Sequence, residues 1–248
     1  MSNHPNGNPP VTARARPPKT WDFMETTFVA LIAYAVFSFV SGLAAGVAIL
    51  AAHGGPHDPT PAQYRELAMQ WRWHGVGLII ACPFTIAVVW VAVRMAGRGV
   101  AEYLALNWPS RKEMLVAFAI AAAWIVSGSI LPEAPASPPI VVGGAAGSLF
   151  VLLLGACLAA PIMEEFVFRG FMFRGWSESF LGPVGAIVLT STLFGMYHTQ
   201  YDWLGRFWIF LFGLAMCIIR WRSNSTWLTV VVHSAVNIFI FFLSGPYV

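Results

Sequence analysis

Seven long apolar stretches dominate the chain, at Phe23–Ala52, Gly75–Ala96, Met114–Leu131, Ser148–Gly170, Pro183–His198, Phe207–Ile219 and Trp227–Leu243. Most meet or approach the ~20 residues that an α-helix needs to cross ~30 Å of hydrocarbon. A bilayer core offers no water to backbone N–H and C=O groups, so segments of this kind must bond them internally, as helices do. Composition points the same way: of 248 residues 58% are hydrophobic and 10% charged, with a mean hydropathy of +0.68, outside the range of ordinary soluble domains. The expected fold is all-α, a polytopic membrane bundle of about seven transmembrane helices, with eight as the alternative count. Met1 to Thr20 is rich in Pro, Asn and Arg and has no apolar run; it reads as a disordered cytoplasmic tail and not as a cleaved signal peptide. Residues 21–248 then form a single membrane domain. The Pro- and Gly-rich stretch from Pro132 to Gly147 reads as a re-entrant or surface loop, and Pro83 and Pro161 are expected to kink their helices.

Charge placement sets the topology. With the N-terminus inside, Arg14, Arg16, Lys19, Arg94, Arg98, Arg111, Lys112, Arg169, Arg174, Arg220 and Arg222 fall on the inner side, and only Arg65, Arg72 and Arg206 fall outside. That bias predicts a cytoplasmic N-terminus in a multi-pass protein of the cell (inner) membrane, if the source is prokaryotic. The net charge of +3 is spread between apolar runs with no basic block, which gives no surface for nucleic acid. Cys82, Cys157 and Cys217 each sit singly in an apolar run, with neither metal-ligand nor disulfide spacing.

Ionisable groups inside such runs are costly, typically ~2.5–3.5 kcal/mol on insertion scales, and so mark sites of function. The stretch Pro161-Ile-Met-Glu-Glu-Phe-Val-Phe-Arg-Gly170 holds three of them. Glu165 and Arg169 are i and i+4 on a helix, suited to an ion pair, whereas Glu164 points about 100° away and is left as the candidate base. Two further polar pairs have the same spacing: Phe194 with His198, and His233 with Asn237. Polar patches on three helices of one half of the chain are better explained by one shared cavity than by three separate braces. A carboxylate and an imidazole can share deprotonation of a water that attacks a carbonyl, while a second His and an Asn amide hydrogen-bond the developing oxyanion. This chemistry needs no cofactor. Glu164, His198 and His233 also form a donor set for a divalent metal such as zinc, which takes two imidazoles and a carboxylate and keeps a position for water. Both readings stay open. The chain has no His-Glu-x-x-His, Gly-x-Gly-Asp or Gly-x-Ser-x-Gly motif.

Glu-Glu-x-x-x-Arg at Glu164, Glu165 and Arg169, Phe-x-x-x-His at Phe194 and His198, and His-x-x-x-Asn at His233 and Asn237 resemble, in this order, the motifs of the CPBP (Abi) family of CAAX-prenyl-protease-type and bacteriocin-processing intramembrane endopeptidases. The resemblance covers roughly Ser148 to Leu243, which is then the catalytic core (about 148–243). It implies a membrane-embedded peptidase whose partners are the lipid bilayer and a membrane-associated peptide or protein substrate. It further implies that Glu164 and His198 activate water and that His233 and Asn237 stabilise the oxyanion, with Glu165, Arg169 and Phe194 in support. Family members are described both as glutamate-dependent proteases and as metalloproteases. Two other classes would use the same polar cavity: a catalytically silent membrane scaffold or immunity protein, and a small-solute transporter, against which the lack of an internal repeat counts.

Other polar candidates carry less. His53, His57 and Asp58 share a Gly/Pro loop typical of a hydrated turn, His74 opens a span beside Trp71 and Trp73, and Tyr197 points about 100° away from His198 on a helix. One conflict of depth remains. Glu164 and His233 lie near the inner edge if their stretches start at the membrane boundary, but His198 is 15 residues, about 22 Å, above Pro183. The repair is a helix that begins below the bilayer, which leaves Thr199, Gln200, Tyr201 and Asp202 at membrane depth, lining a wet vestibule.

Overall fold

The computed structural model describes residues 20–53, 59–68, 71–130 and 146–244, and among them the secondary structure is helical, with one isolated antiparallel bridge between Leu106 and Ser225. The helices are α1 (Phe23–His53), α2 (Pro61–Ala68), α3 (Trp71–Met95), α4 (Val100–Tyr103), α5 (Arg111–Ile130), α6 (Ala146–Leu154), α7 (Ala160–Glu164), α8 (Phe173–Ser177), α9 (Gly182–Tyr197), α10 (Trp203–Ser223) and α11 (Thr226–Ser244). Two π-helical segments, Gly155–Ala159 and Glu165–Met172, join α6, α7 and α8 into one uninterrupted rod. Each apolar stretch falls on one of these helices or on the rod to within a few residues. Among the described residues five segments are long and apolar enough to cross a membrane: Phe23–His53, Arg72–Met95, Leu149–Ser177, Trp203–Ser223 and Thr226–Leu243. The 16-residue α9 is shorter, and α5 opens on Arg111, Lys112 and Glu113. The protein is thus a helical, multi-pass membrane protein with five candidate spans among the described residues. Apart from Thr20 at one end and Ala146 and Gly147 at the other, the N-terminal tail and the Pro132–Gly147 loop lie outside the described residues, as do His57 and Asp58.

The rod is the centre of the packing. It meets α3 on one side and α11 on another, while α1 pairs with α3 and α9 with α10. At the α3 crossing the backbones touch: a Cβ on Gly155 would lie 2.7 Å from the Cα of Gly75, so neither position accepts a side chain. Below the crossing, Tyr103, Phe171 and Trp176 are all but fully buried, and the Tyr103 and Phe171 rings stack at 5.7 Å.

The start of α11 is fixed by side chains that bond backbone. α10 ends at Asn224 in the left-handed conformation (φ 48°), an ordinary helix stop for Asn. The following residues are fastened to the segment after α4. Thr226 Oγ1 donates to the Leu104 carbonyl at 2.5 Å, Ser225 Oγ to the Asn107 carbonyl at 2.5 Å, and Asn107 Nδ2 to the Asn224 carbonyl at 2.9 Å. His233 therefore sits two turns along a helix whose origin cannot slide. A charged lattice ties the same end of α3, α4 and α8: Arg98 pairs with Glu102, and Arg174 with Glu102 (3.2 Å) and Glu178 (2.5 Å).

Candidate active site

The irregular rod builds the first part of the site. In the segment Gly155–Ala159 the Ala160 N–H bonds the Gly155 carbonyl, the i to i+5 pattern of a π-helix. The next bond in that pattern would join the Ala156 carbonyl to the nitrogen of residue 161, which is proline and has no N–H. The vacated acceptor is taken by a side chain: Asn237 Nδ2, from α11, donates to the Ala156 carbonyl at 2.9 Å. One amide hydrogen of Asn237 thus pins α11 to the rod about two turns before Glu164, and the second is left for other use.

The two glutamates differ as expected from their spacing. Glu165 is fully buried and accepts from Arg169 Nη1 at 3.0 Å; Arg169 is equally buried. The same Glu165 oxygen also accepts from His233 Nδ1 at 2.8 Å, a partner that spacing alone did not reveal. Since a carboxylate only accepts, Nδ1 of His233 carries a proton and the ring presents Nε2 on its other side. There Glu164 Oε2 lies 3.8 Å away, with Glu164 itself 7% exposed. One imidazole therefore stands between two carboxylates.

Phe194 connects the second polar pair to this group. Its ring centroid is 4.1 Å from the Arg169 guanidinium carbon, 4.7 Å from the centroid of His198 and 5.8 Å from that of His233. The guanidinium over the ring face is a cation–π contact inside a dry environment, where such contacts are strongest. All three motifs meet around this one buried ring, with Phe168 packed edge-on to it at 5.3 Å.

His198 is not on the helix. α9 stops at Tyr197, and His198 (φ −80°, ψ 63°) is the centre of an inverse γ-turn closed by the Thr199 N–H bonding the Tyr197 carbonyl at 2.9 Å. Its Nδ1 donates to the Phe194 carbonyl at 2.7 Å, so Nε2 carries the lone pair. Because the chain turns here, the 100° argument that set Tyr197 aside fails: its ring lies 5.7 Å from His198, 5.9 Å from Tyr34 and 6.4 Å from Phe168. Tyr197, Tyr201 and His198 all lie within electrostatic reach of Glu164. The levels also agree. From Glu164 the rod runs 13 residues, about 20 Å, to Ser177, and α9 returns 16 residues, about 24 Å, from Gly182 to His198. Thr199, Gln200 and Asp202 are exposed and Tyr201 half-buried.

The other candidates stay apart. His53 packs edge-on to Trp73 at 6.1 Å and His74 is exposed. Cys157 is buried beside Leu152 and Phe241. Among the described residues no three His, Cys, Asp or Glu side chains converge closely enough to hold a metal ion. Each imidazole is held through Nδ1 and keeps Nε2 for another partner, which is also how a metal-ligating histidine is held.

Residues 146–239 match the family described as type II CAAX prenyl endopeptidase Rce1-like. This is the peptidase class, within the CPBP grouping, that the three motifs resemble, and the matched segment contains all of them. No curated protein and no solved structure matches the chain.

Proposed function

We propose that this protein is an intramembrane endopeptidase of the CAAX-protease type that hydrolyses a peptide bond of a membrane-associated substrate by water activation. The observation that carries the reading is the meeting of the three motifs, with Glu164 Oε2 3.8 Å from His233 Nε2 and His198 on the same Phe194 ring. Glu164 takes the proton of a water that His198 Nε2 orients; the resulting hydroxide attacks the substrate carbonyl, and Glu164 returns the proton to the leaving amine. The oxyanion is met by the uncommitted N–H of Asn237 and by Nε2–H of His233. With Nδ1 already donating to Glu165, Nε2 can donate only from the imidazolium. The proposed catalytic core, about 148–243, overlaps the matched segment 146–239, and the helices before it would complete the single membrane domain. The test is cleavage in proteoliposomes of a reporter bearing a prenylated C-terminal peptide. Wild type should cleave it and Glu164→Ala should not; cleavage by both, or by neither, overturns the assignment.

A further inference from the structure

The γ-turn that carries His198 lies outside any helix, and its carbonyls need partners. Those of Thr199 and Tyr201 are both met by one side chain. Arg206, in the first turn of α10, donates from Nη2 to the Thr199 carbonyl and from Nε to the Tyr201 carbonyl, each at 2.9 Å. Its guanidinium carbon rests 5.0 Å from the Trp203 ring centroid. Its backbone is fixed as well: the Arg206 N–H bonds the Asp202 carbonyl at 2.9 Å, and its own carbonyl is so close to α9 that a Cβ on Gly195 would lie 2.8 Å from it. Gly195 is one turn before His198 and its carbonyl accepts the His198 N–H at 3.3 Å. One residue thus holds the chain just before His198 through backbone contact and just after it through the guanidinium fork.

From this geometry we infer that Arg206 is the positioning residue for His198, setting where its Nε2 stands relative to Glu164; the inference rests on the hydrolytic reading of the site. The ordinary role for an arginine at a helix end in a membrane protein is an interfacial anchor, which lysine fills equally well. A clamp on two carbonyls needs the planar fork, and a lysine ammonium is a single point charge without it. The two roles therefore part at Arg206→Lys.

The experiment compares wild type, Arg206→Lys and Arg206→Ala in proteoliposomes, reading kcat and KM on the prenylated reporter, thermal stability, and the rate at which diethyl pyrocarbonate modifies His198, followed by mass spectrometry. Displacement of a reacting group by an ångström costs up to about 100-fold, so Arg206→Lys should lower kcat by about tenfold or more. KM should stay within about twofold, because substrate binding is not what the fork serves. His198 modification should speed up severalfold in both variants, and guanidinium ion added to Arg206→Ala should restore part of kcat. Wild-type kcat and wild-type His198 reactivity in Arg206→Lys overturn the inference. So does a loss of activity that merely follows loss of folded protein and is not recovered by guanidinium. If wild type itself fails to cleave the reporter, the proposed function falls, while His198 reactivity still decides for or against the clamp.

Discussion

Glu164 and Glu165 are adjacent copies of one side chain, and their surroundings give them different consequences on mutation. Glu165 holds Arg169 and His233 at once in a site without solvent access. Removing its charge, or that of Arg169, strands a buried partner, which typically costs roughly 3–5 kcal/mol. Glu164 touches no cation closer than 3.8 Å. Glu164→Gln is therefore expected to leave thermal stability near wild type and to lower turnover by about 10²–10⁴-fold, the usual worth of a general base. Glu165→Gln and Arg169→Ala should lose folded protein as well, measured as melting temperature and monodisperse yield in detergent; equal loss in all three would defeat this division. A second expectation concerns the metal donor set, no three members of which converge among the described residues. Peptidase activity should persist in a preparation shown by elemental analysis to be free of zinc, and activity that falls in step with metal content would restore the ligand-set reading. The Glu165–Arg169 pair was legible in the sequence because both residues lie on one element and obey its period. The Glu165–His233 bond was not, since it joins residues 68 apart and depends on how two helices face each other.

At the scale of elements, the site depends on places where the helices stop being regular. Pro161 announces a disturbance in the sequence, and a kink is the natural expectation. What the sequence does not give is the register. Only in the i to i+5 pattern does the missing N–H of Pro161 fall opposite Ala156, whose carbonyl Asn237 then completes. The end of α9 teaches the same lesson. A 100° period placed Phe194 and His198 together and Tyr197 elsewhere, but the turn at His198 brings all three around one another. Asn237 accordingly has a structural duty that Glu164 lacks. Asn237→Asp keeps the shape but removes both N–H donors, leaving a part-buried carbonyl unpaired at a cost of about 1–3 kcal/mol and facing it with a carboxylate. This variant should lose melting temperature and turnover together, whereas Glu164→Gln loses turnover alone. An Asn237→Asp protein as stable as wild type would mean that the Ala156 bond contributes nothing.

For the molecule as a whole, the question is the depth at which the site stands. The segment Leu149–Ser177 is 29 residues, about 44 Å of helix, which exceeds ~30 Å of hydrocarbon by several turns. With the orientation proposed from the basic residues, the excess would project on the cytoplasmic side, and α9 would start there, beyond the turn after Ser177. On that proposal a 16-residue helix serves a deep site because its beginning would be outside the bilayer and its end, at His198, within it. Thr199 to Asp202 would then lie at membrane depth, where irregular backbone survives only if protein or trapped water satisfies it. Arg206 satisfies two of its carbonyls, Asp202 caps α10 by accepting the Gly205 N–H, and the exposed side chains of Thr199 and Gln200 would be left to line a wet vestibule. The three native cysteines are buried, so a cysteine introduced at Thr199 or Gln200 reports against a quiet background. In intact cells such a cysteine should resist a bulky membrane-impermeant maleimide added from outside, yet react with a small charged methanethiosulfonate that can enter the vestibule. Rapid labelling by the bulky reagent would carry His198 to the outer face. Because His198 is joined through Phe194 to Arg169 and His233, the whole cluster would have to move outward with it.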